Sequence, residues 1–263
     1  MSLSATPPYV PGHNLLSGKN VAITAAAGTG IGAAAARRCL EEGANVVVSD
    51  HHQRRLEETR AELAKEFGDD RVHAVVCDVT DEQHVEGLID GTAARFGTLD
   101  VLVNNAGLGG TASLLDMTDE QWLHVLDVTL NGTFRCTRAA LRLMRDQGSG
   151  GAIVNNASVI GWRAQEGHAH NAAAKAGVMA LTRCAALDAA AYGVRVNAVS
   201  PSLAMHPFLA KVTTDELLAE LTKREAFGRA AEPWEVANVM VFLASDYASY
   251  LTGEVLSVSS QHA

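Results

Sequence analysis

Short runs rich in β-branched residues alternate along this chain with longer stretches of helical spacing. That alternation constrains the fold more than any other feature. The runs are 21–24, 45–49, 72–76, 101–104, 152–156, 195–199 and 255–258. Between most of them lie stretches with apolar residues at i, i+3 and i+4, such as Val85, Leu88 and Ile89 within 82–96. Further helical patterns cover 31–42, 53–67, 119–147 and 172–192, and Pro233 opens another that runs to Leu243. Strands that read as near-continuous apolar runs are buried on both faces, which points to a parallel sheet. Strand and helix in alternation give βαβ units with right-handed crossovers. The expectation is an α/β fold, a doubly wound parallel sheet of about seven strands in a single domain.

Composition narrows the partners. The 263 residues are 48% hydrophobic, enough for a large core. The formal charge of −9 leaves no basic surplus for phosphate neutralisation, so nucleic acid is not expected as a partner. No apolar run approaches the ~20 residues of a membrane span, so no membrane partner is expected. Residues 1–17 carry Pro7, Pro8 and Pro11 and read as an irregular arm ahead of a single domain over 18–263. They show no basic region followed by an apolar one, so they do not read as a secretory signal. Cys39, Cys77, Cys136 and Cys184 lie far apart, without CxxC spacing, so reduced core residues, no metal site and a cytoplasmic setting are expected.

The first strand runs into TAAAGTGIGAAAARRCL, with Gly28, Gly30 and Gly32 at the turn into a helix. Glycine permits positive φ and close backbone approach, and a helix N-terminus offers free N–H donors to a pyrophosphate. A tight strand–helix turn would favour glycine as well. The second strand ends at Asp50, twenty residues past Gly30. An acidic residue there accepts hydrogen bonds from an adenosine ribose and repels a 2′-phosphate, which favours NAD over NADP. Asp50 could equally cap the next helix. His51, Arg54 and Arg55 follow and temper the preference. Polar and small residues also close the third strand (Cys77, Asp78, Val79) and the fourth (Asn104, Asn105, Ala106, Gly107), where ligands of such sheets bind.

Several motifs in one order resemble the classical short-chain dehydrogenases/reductases over about residues 18–260. They are AAAGTGIG, the CDV at 77–79, the NNAG at 104–107, Asn131 in LNGTF, Ser158 in NNASVIG, Lys175 in NAAAKAG, and VRVNAVSPS at 194–202. The resemblance implies a Rossmann-like domain, a nicotinamide cofactor, hydride exchange between an alcohol and a ketone, and a small-molecule substrate. It implies a homotetramer or homodimer built on the two long helices. It assigns the cofactor to Ala26, Gly28, Thr29, Gly30, Ile31, Asp50, Asp78, Val79, Asn105, Ala106, Gly107, Lys175 and Pro201. AAAGTGIG, RCLEEGA, REAFGRAAEPWEVA and LTGEVLSVSSQ look most similar to 3-oxoacyl thioester reductases and to actinobacterial steroid-ring dehydrogenases acting on CoA thioesters.

Two departures from the family pattern stand out. Its loop usually opens with Thr-Gly, where this chain has Ala25 and Ala26. Its catalytic set is Asn, Ser, Tyr and Lys. Asn131, Ser158 and Lys175 match, but the tyrosine position is Asn171, and no tyrosine lies between Tyr9 and Tyr192. A phenol beside a lysine ammonium can exchange a proton near neutral pH. A carboxamide donates a hydrogen bond but has no usable proton. Three explanations stand side by side: a framework that binds its ligands but turns over slowly or not at all, a non-catalytic NAD-binding paralogue, or an acid/base relocated to His168 or His170. Tyr192, 21 residues on and about 30 Å away by helical rise, cannot substitute. The stretch 203–223 is the expected substrate lid, with Met205, Pro207, Phe208 and Leu209 as apolar lining and Trp162 as a further wall.

Overall fold

The structure, a computed structural model, describes residues 5–205 and 215–260. Seven parallel strands form one sheet: β1 (Asn20–Ile23), β2 (Asn45–Asp50), β3 (Val72–Val76), β4 (Val101–Asn104), β5 (Gly151–Asn156), β6 (Val194–Pro201) and β7 (Val255–Val258). Their order is β3-β2-β1-β4-β5-β6-β7. The chain winds outward from β1 in one direction and then from β4 in the other. The switch between β1 and β4 opens a crevice at the carboxyl ends of the strands.

Strand alternation builds two cores. Val21, Ile23, Val46, Val48, Val101, Val103 and Val154 face one side. There they meet α1 (Ile31–Glu41), α2 (Gln53–Phe67) and the helix over Pro233–Ala244. Ala22, Val47, Leu102, Ile153 and Val196 face the other side. They pack on α3 (Glu82–Phe96) and on α5 (Gly132–Gln147) and α6 (Ala169–Ala189). Leu102, Ile153 and Met144 are fully buried, each worth about 1.5–3 kcal/mol of transfer free energy. The sheet is thus covered on both faces, as the near-continuous apolar strands require.

The helical pattern expected over 119–147 is divided. Helix α4 (Asp119–Leu126) starts on a Thr118–Gln121 capping box, widens into a π turn at Asp127–Asn131, and continues as α5. In that wide turn the Thr129 hydroxyl accepts a hydrogen bond from Leu108 N–H (2.9 Å), tying the helix to the loop after β4. Helix α6 begins three residues earlier than the pattern indicates, and its last turn tightens into a 3₁₀ segment at Ala190–Tyr192. Helix α7 (Asp215–Lys223) precedes α8 (Pro233–Ala244).

The N-terminal arm is irregular but fastened. Arg38 on α1 donates to the carbonyls of Val10 (2.6 Å) and Pro11 (3.3 Å). Fully buried Glu42 accepts from the N–H groups of His13 (2.8 Å) and Leu15 (3.0 Å) and pairs with Arg38 at 2.8 Å.

Candidate active site

A network of asparagines and threonines fixes the strand ends. Asn104 donates to Thr137 on α5 (3.0 Å) and to Asn155 on β5 (2.9 Å), and Asn155 donates to Thr182 on α6 (2.9 Å). All four are buried, so each bond is made where an unpaired group would be expensive. The Thr24 hydroxyl, past the end of β1, accepts from the N–H groups of Asn105 (2.9 Å) and Ala106 (3.0 Å).

From there a chain of contacts crosses the crevice. Asn105 Nδ2 donates to the Ala25 carbonyl (2.9 Å), Asn156 Nδ2 donates to Asn105 Oδ1 (2.9 Å), and Lys175 Nζ donates to the Asn156 carbonyl (2.6 Å). The glycine loop is therefore connected to the lysine of α6 through three hydrogen bonds. Lys175 is buried, and burial, which disfavours its charge, lowers its pKa from the usual 10.5 to about 8.

A cleft of about 700 Å³ is lined by Ala25, Gly30, Ile31, Asn105 and Gly107 at one end, and by Ser158, His168, Asn171, Lys175, Pro201 and Leu203 at the other. A second cavity of about 270 Å³ holds Asp50, Asp78, Val79 and Ala106. The two meet at Ala25, Gly107 and Leu108. Together they form one trough along the carboxyl ends of the strands.

Thirteen of the sequence-predicted residues do not contribute alike. Positions Gly30, Ile31, Asp50, Asp78, Val79, Asn105, Ala106, Gly107, Lys175 and Pro201 line the trough. Ala26 is sealed in the core, with its N–H donated to Ser49 O (2.8 Å). Gly28 and Thr29 are exposed, and the Gly28 N–H is already taken by Thr59 Oγ1 (3.0 Å). Of the predicted catalytic set, Ser158, Asn171 and Lys175 share the cleft. Asn131 does not line it: its exposed side chain donates to Asp127 Oδ1 (3.1 Å). Asp50 Oδ1 accepts from His52 N–H (2.9 Å) and has Arg55 at 3.7 Å, so it shapes the turn into α2 as well as facing the trough. Burial opposes the charge of Asp78, but hydrogen bonds from the Thr80 N–H and hydroxyl outweigh it and hold the carboxyl below its ordinary pKa.

Because α6 starts at Ala169, His168 is its N-cap and does not share a helical face with Asn171. Its Nδ1 contacts the Glu166 carbonyl at 2.7 Å and its Nε2 the Gln165 amide nitrogen at 3.4 Å, an arrangement that a proton on Nδ1 satisfies at both ends. His170 is buried, and its Nδ1 has no partner among the described residues. Trp162 is half-exposed and does not line the cleft. Of the expected lid, Leu203, Ala204 and Leu221 line it, whereas His206, Pro207, Phe208 and Leu209 lie outside the described residues. Thr24, Thr129 and Asn156 escaped the sequence reading. Their signal is no more than a polar residue at a strand end or inside a helical pattern.

Two loop positions explain the local path. Gly32 has no room for a side chain: a Cβ there would stand 2.3 Å from the Ala25 carbonyl oxygen and 2.4 Å from Asn105 Nδ2. Ala25 takes φ +50°, in the left-handed region that favours glycine. Ala25 stands at the family's threonine position, and Ala26, where the family has glycine, takes no positive φ, so the left-handed backbone here does not come from the lost glycine.

The thiols of Cys39 and Cys77 are pushed up to about 12 by burial, that of Cys136 is also raised, and Cys184 is exposed. Among the described residues no cluster of metal-ligating side chains occurs, and no helix is long and apolar enough to cross a membrane.

The family model described as "Enoyl-(Acyl carrier protein) reductase" matches residues 25–260. The chain belongs to the short-chain dehydrogenase/reductase family. Members of this oxidoreductase family bind a nicotinamide cofactor and act on small molecules. A curated relative in Mycobacterium tuberculosis, "(5R,7aS)-5-hydroxy-7a-methyl-1-oxo-2,3,5,6,7,7a-hexahydro-1H-indene-carboxyl-CoA reductase", is 66% identical, with 100% of both chains covered. The cis-4-hydroxycyclohexanecarboxylate dehydrogenase of Sinomonas cyclohexanicum is 43% identical over 91% of this chain and 95% of its own. The crystal structure of a short chain dehydrogenase from Mycobacterium smegmatis is 59% identical and superposes with a TM-score of 0.89, covering 99% of this chain and 100% of that one.

The trough fits a dinucleotide. Nothing lies within 4 Å of where a Cβ would stand on Gly28 or Gly30, so the backbone there is open to a bulky group. At the other end the Asn156 and Asn171 side-chain oxygens are buried and lack partners among the described residues.

Proposed function

We propose that this chain is an NAD(H)-linked oxidoreductase interconverting a secondary alcohol and a ketone on a bulky, ring-bearing acyl-CoA substrate, impaired by asparagine at the tyrosine position. One observation carries the reading: Ser158, Asn171 and Lys175 line the same cleft as Gly30, Asn105 and Gly107. The names of the relatives in Mycobacterium tuberculosis and Sinomonas cyclohexanicum support a hydroxylated or oxo ring acid as substrate.

A bound nicotinamide would supply or accept the hydride. Gly30 and Ile31 would hold its diphosphate at the α1 N-terminus, Asp50 the adenosine ribose, and Lys175 the nicotinamide ribose. Asp50 favours NAD, because its carboxylate repels a 2′-phosphate. The Ser158 hydroxyl would donate to the substrate oxygen. The Asn171 amide can hold that oxygen but cannot deliver a proton, and general acid–base catalysis contributes typically 10²–10⁴-fold.

A second reading has its own observation. His168 lines the cleft, and its Nε2 is held by a long 3.4 Å contact from the Gln165 amide, which a substrate hydroxyl could replace in a relocated acid/base role. A non-catalytic NAD-binding paralogue is the remaining alternative. The assembly we propose is a homotetramer or homodimer, supported by the half-exposed Phe134 on α5 and Tyr192 after α6, which border a groove between those helices.

The test is turnover of ring-bearing hydroxyacyl-CoA thioesters with NAD, for this protein beside its Asn171→Tyr variant. A gain of about two orders of magnitude or more in kcat, with NADH affinity unchanged, supports the reading. Equal activity that falls on His168→Gln favours the relocated base. Silence of both proteins while NADH still binds favours the non-catalytic paralogue.

A further inference from the structure

The catalytic cleft has a neighbour. A cavity of about 320 Å³ is walled by Val159, Ile160, Ala164 and Leu221 and carries two arginines, Arg163 and Arg224. It shares Val159, Ile160, Gln165 and Leu221 with the main cleft, so the two spaces adjoin beside Ser158. It does not share Gly30, Ile31, Asp50 or Asp78, the residues of the proposed cofactor trough.

Its chemistry suits a particular shape of ligand. The walls are aliphatic apart from Gln165, and two guanidinium groups come from separate elements: Arg163 follows the 3₁₀ turn Val159–Gly161, and Arg224 follows α7. Guanidinium is the side chain best matched to phosphate oxygens. The whole chain carries −9, so two cations lining one small cavity stand against the general field. Arg224 is paired with Glu220, and both side chains are more than half exposed. Exposed pairs of this kind are weak, so a phosphate can displace the carboxylate; Arg163 also has an interaction within the chain, which a phosphate would join or replace.

We propose that this side cavity is the carrier subsite of the substrate. Its apolar walls take the pantetheine arm of a free CoA thioester, and Arg163 and Arg224 hold the CoA phosphates. The inference rests on the acyl-CoA reading above and adds where the carrier lies and which residues select it. It makes a thioester of CoA a better ligand than the free ring acid, although both present the same reacting carbon.

The experiment is calorimetric titration of CoA itself into the full chain at saturating NADH, which needs no turnover. For Arg163→Gln combined with Arg224→Gln, CoA affinity is expected to fall tenfold or more. Phosphate-free pantetheine binding and NADH affinity should stay unchanged. Glu220→Gln removes the competing carboxylate and is expected to tighten CoA severalfold, a gain that a merely structural role would not produce. Equal CoA affinity in the unaltered and double-variant proteins overturns the subsite. So does an unaltered chain that binds NADH but not CoA, or a double variant whose pantetheine affinity falls as far as its CoA affinity. Failure to bind NADH would instead overturn the function reading itself.

Discussion

Lys175 offers a test of the site that needs neither substrate nor cofactor. Its side chain is buried, its ammonium donates to the Asn156 carbonyl at 2.6 Å, and burial lowers its pKa from 10.5 to about 8. That gap corresponds to about 3 kcal/mol of disfavoured charge in the folded chain. Below pH 8 the lysine is protonated in both folded and unfolded states, and the folded state carries the full burial penalty. Between about pH 8 and 10.5 the folded chain releases the proton while the unfolded chain keeps it. The unfolded state then binds more protons, so stability rises with pH at up to about 1.4 kcal/mol per unit. Lys175→Met keeps the aliphatic length and removes the titration. At pH 7 the variant sheds the buried charge but loses a charge-assisted hydrogen bond of about 1.5–3 kcal/mol, so the two effects largely offset. The pH dependence is the decisive quantity. Urea unfolding of both proteins at pH 7, 8, 9 and 10 should show the gap moving toward the unaltered chain by about 2–3 kcal/mol across that range. All other titrating groups are common to both and cancel. A gap constant within about 0.5 kcal/mol would refute the argument that burial sets this lysine's proton affinity.

The glycine loop, the arm and the adenosine end each yield a further expectation. Ala25→Gly relieves a left-handed alanine and should raise unfolding free energy by about 0.5–1 kcal/mol, read by thermal denaturation; a loss would show that φ +50° carries no strain there. Gly32→Ala presses a methyl on the Ala25 carbonyl and the Asn105 amide and should cost at least about 1–3 kcal/mol and weaken NADH binding, so an unaffected variant would contradict the close approach. Glu42→Ala takes away one of the two carboxylates on buried Arg38, Glu41 keeping the other, and strands the N–H groups of His13 and Leu15; it should destabilise by about 1–3 kcal/mol, with faster proteolytic cleavage inside residues 5–15. Asp50→Ser removes the carboxylate that a 2′-phosphate would face and leaves Arg55 nearby, so the NADPH-to-NADH affinity ratio should rise about tenfold; an unchanged ratio would leave Asp50 as a turn residue only.

The architecture was legible because sheet and helix have different hydrophobic periods. Val46, Val47 and Val48 must point to alternate faces, and only a sheet covered on both sides buries all three. The site's location followed from polar residues at successive strand ends, since the crevice forms where the winding reverses. Orientation was less legible. The π turn at 127–131 has no residue signature of its own, and the apolar residues on either side of it each fit a helix, so Asn131 could not be seen turning to Asp127. The start of α6 was hidden as well. No side chain caps it, so the usual Ser, Thr, Asp or Asn signal was missing. The left-handed backbone at Ala25 contradicts the residue's own preference and is imposed by its surroundings, as sites often impose local strain.

Position 171 separates what the scaffold does from what the chemistry needs. Asn171 lies on the same helix as Lys175, one turn earlier, and its Oδ1 is buried without a partner among the described residues. Among those residues this oxygen therefore adds no hydrogen bond to the fold and faces the cleft instead. The side chain's pattern of one acceptor and two donors is complementary to both redox forms of the proposed substrate. The carboxamide oxygen can accept from an alcohol, and the amide can donate to a ketone. Neither contact moves a proton. Ground-state binding of both forms is therefore compatible with asparagine, while proton exchange, worth about 3–5 kcal/mol of barrier for a 10²–10⁴-fold effect, is not. Binding and turnover should part company at this residue, with affinity carried by the trough and the side cavity and rate limited by the missing proton donor.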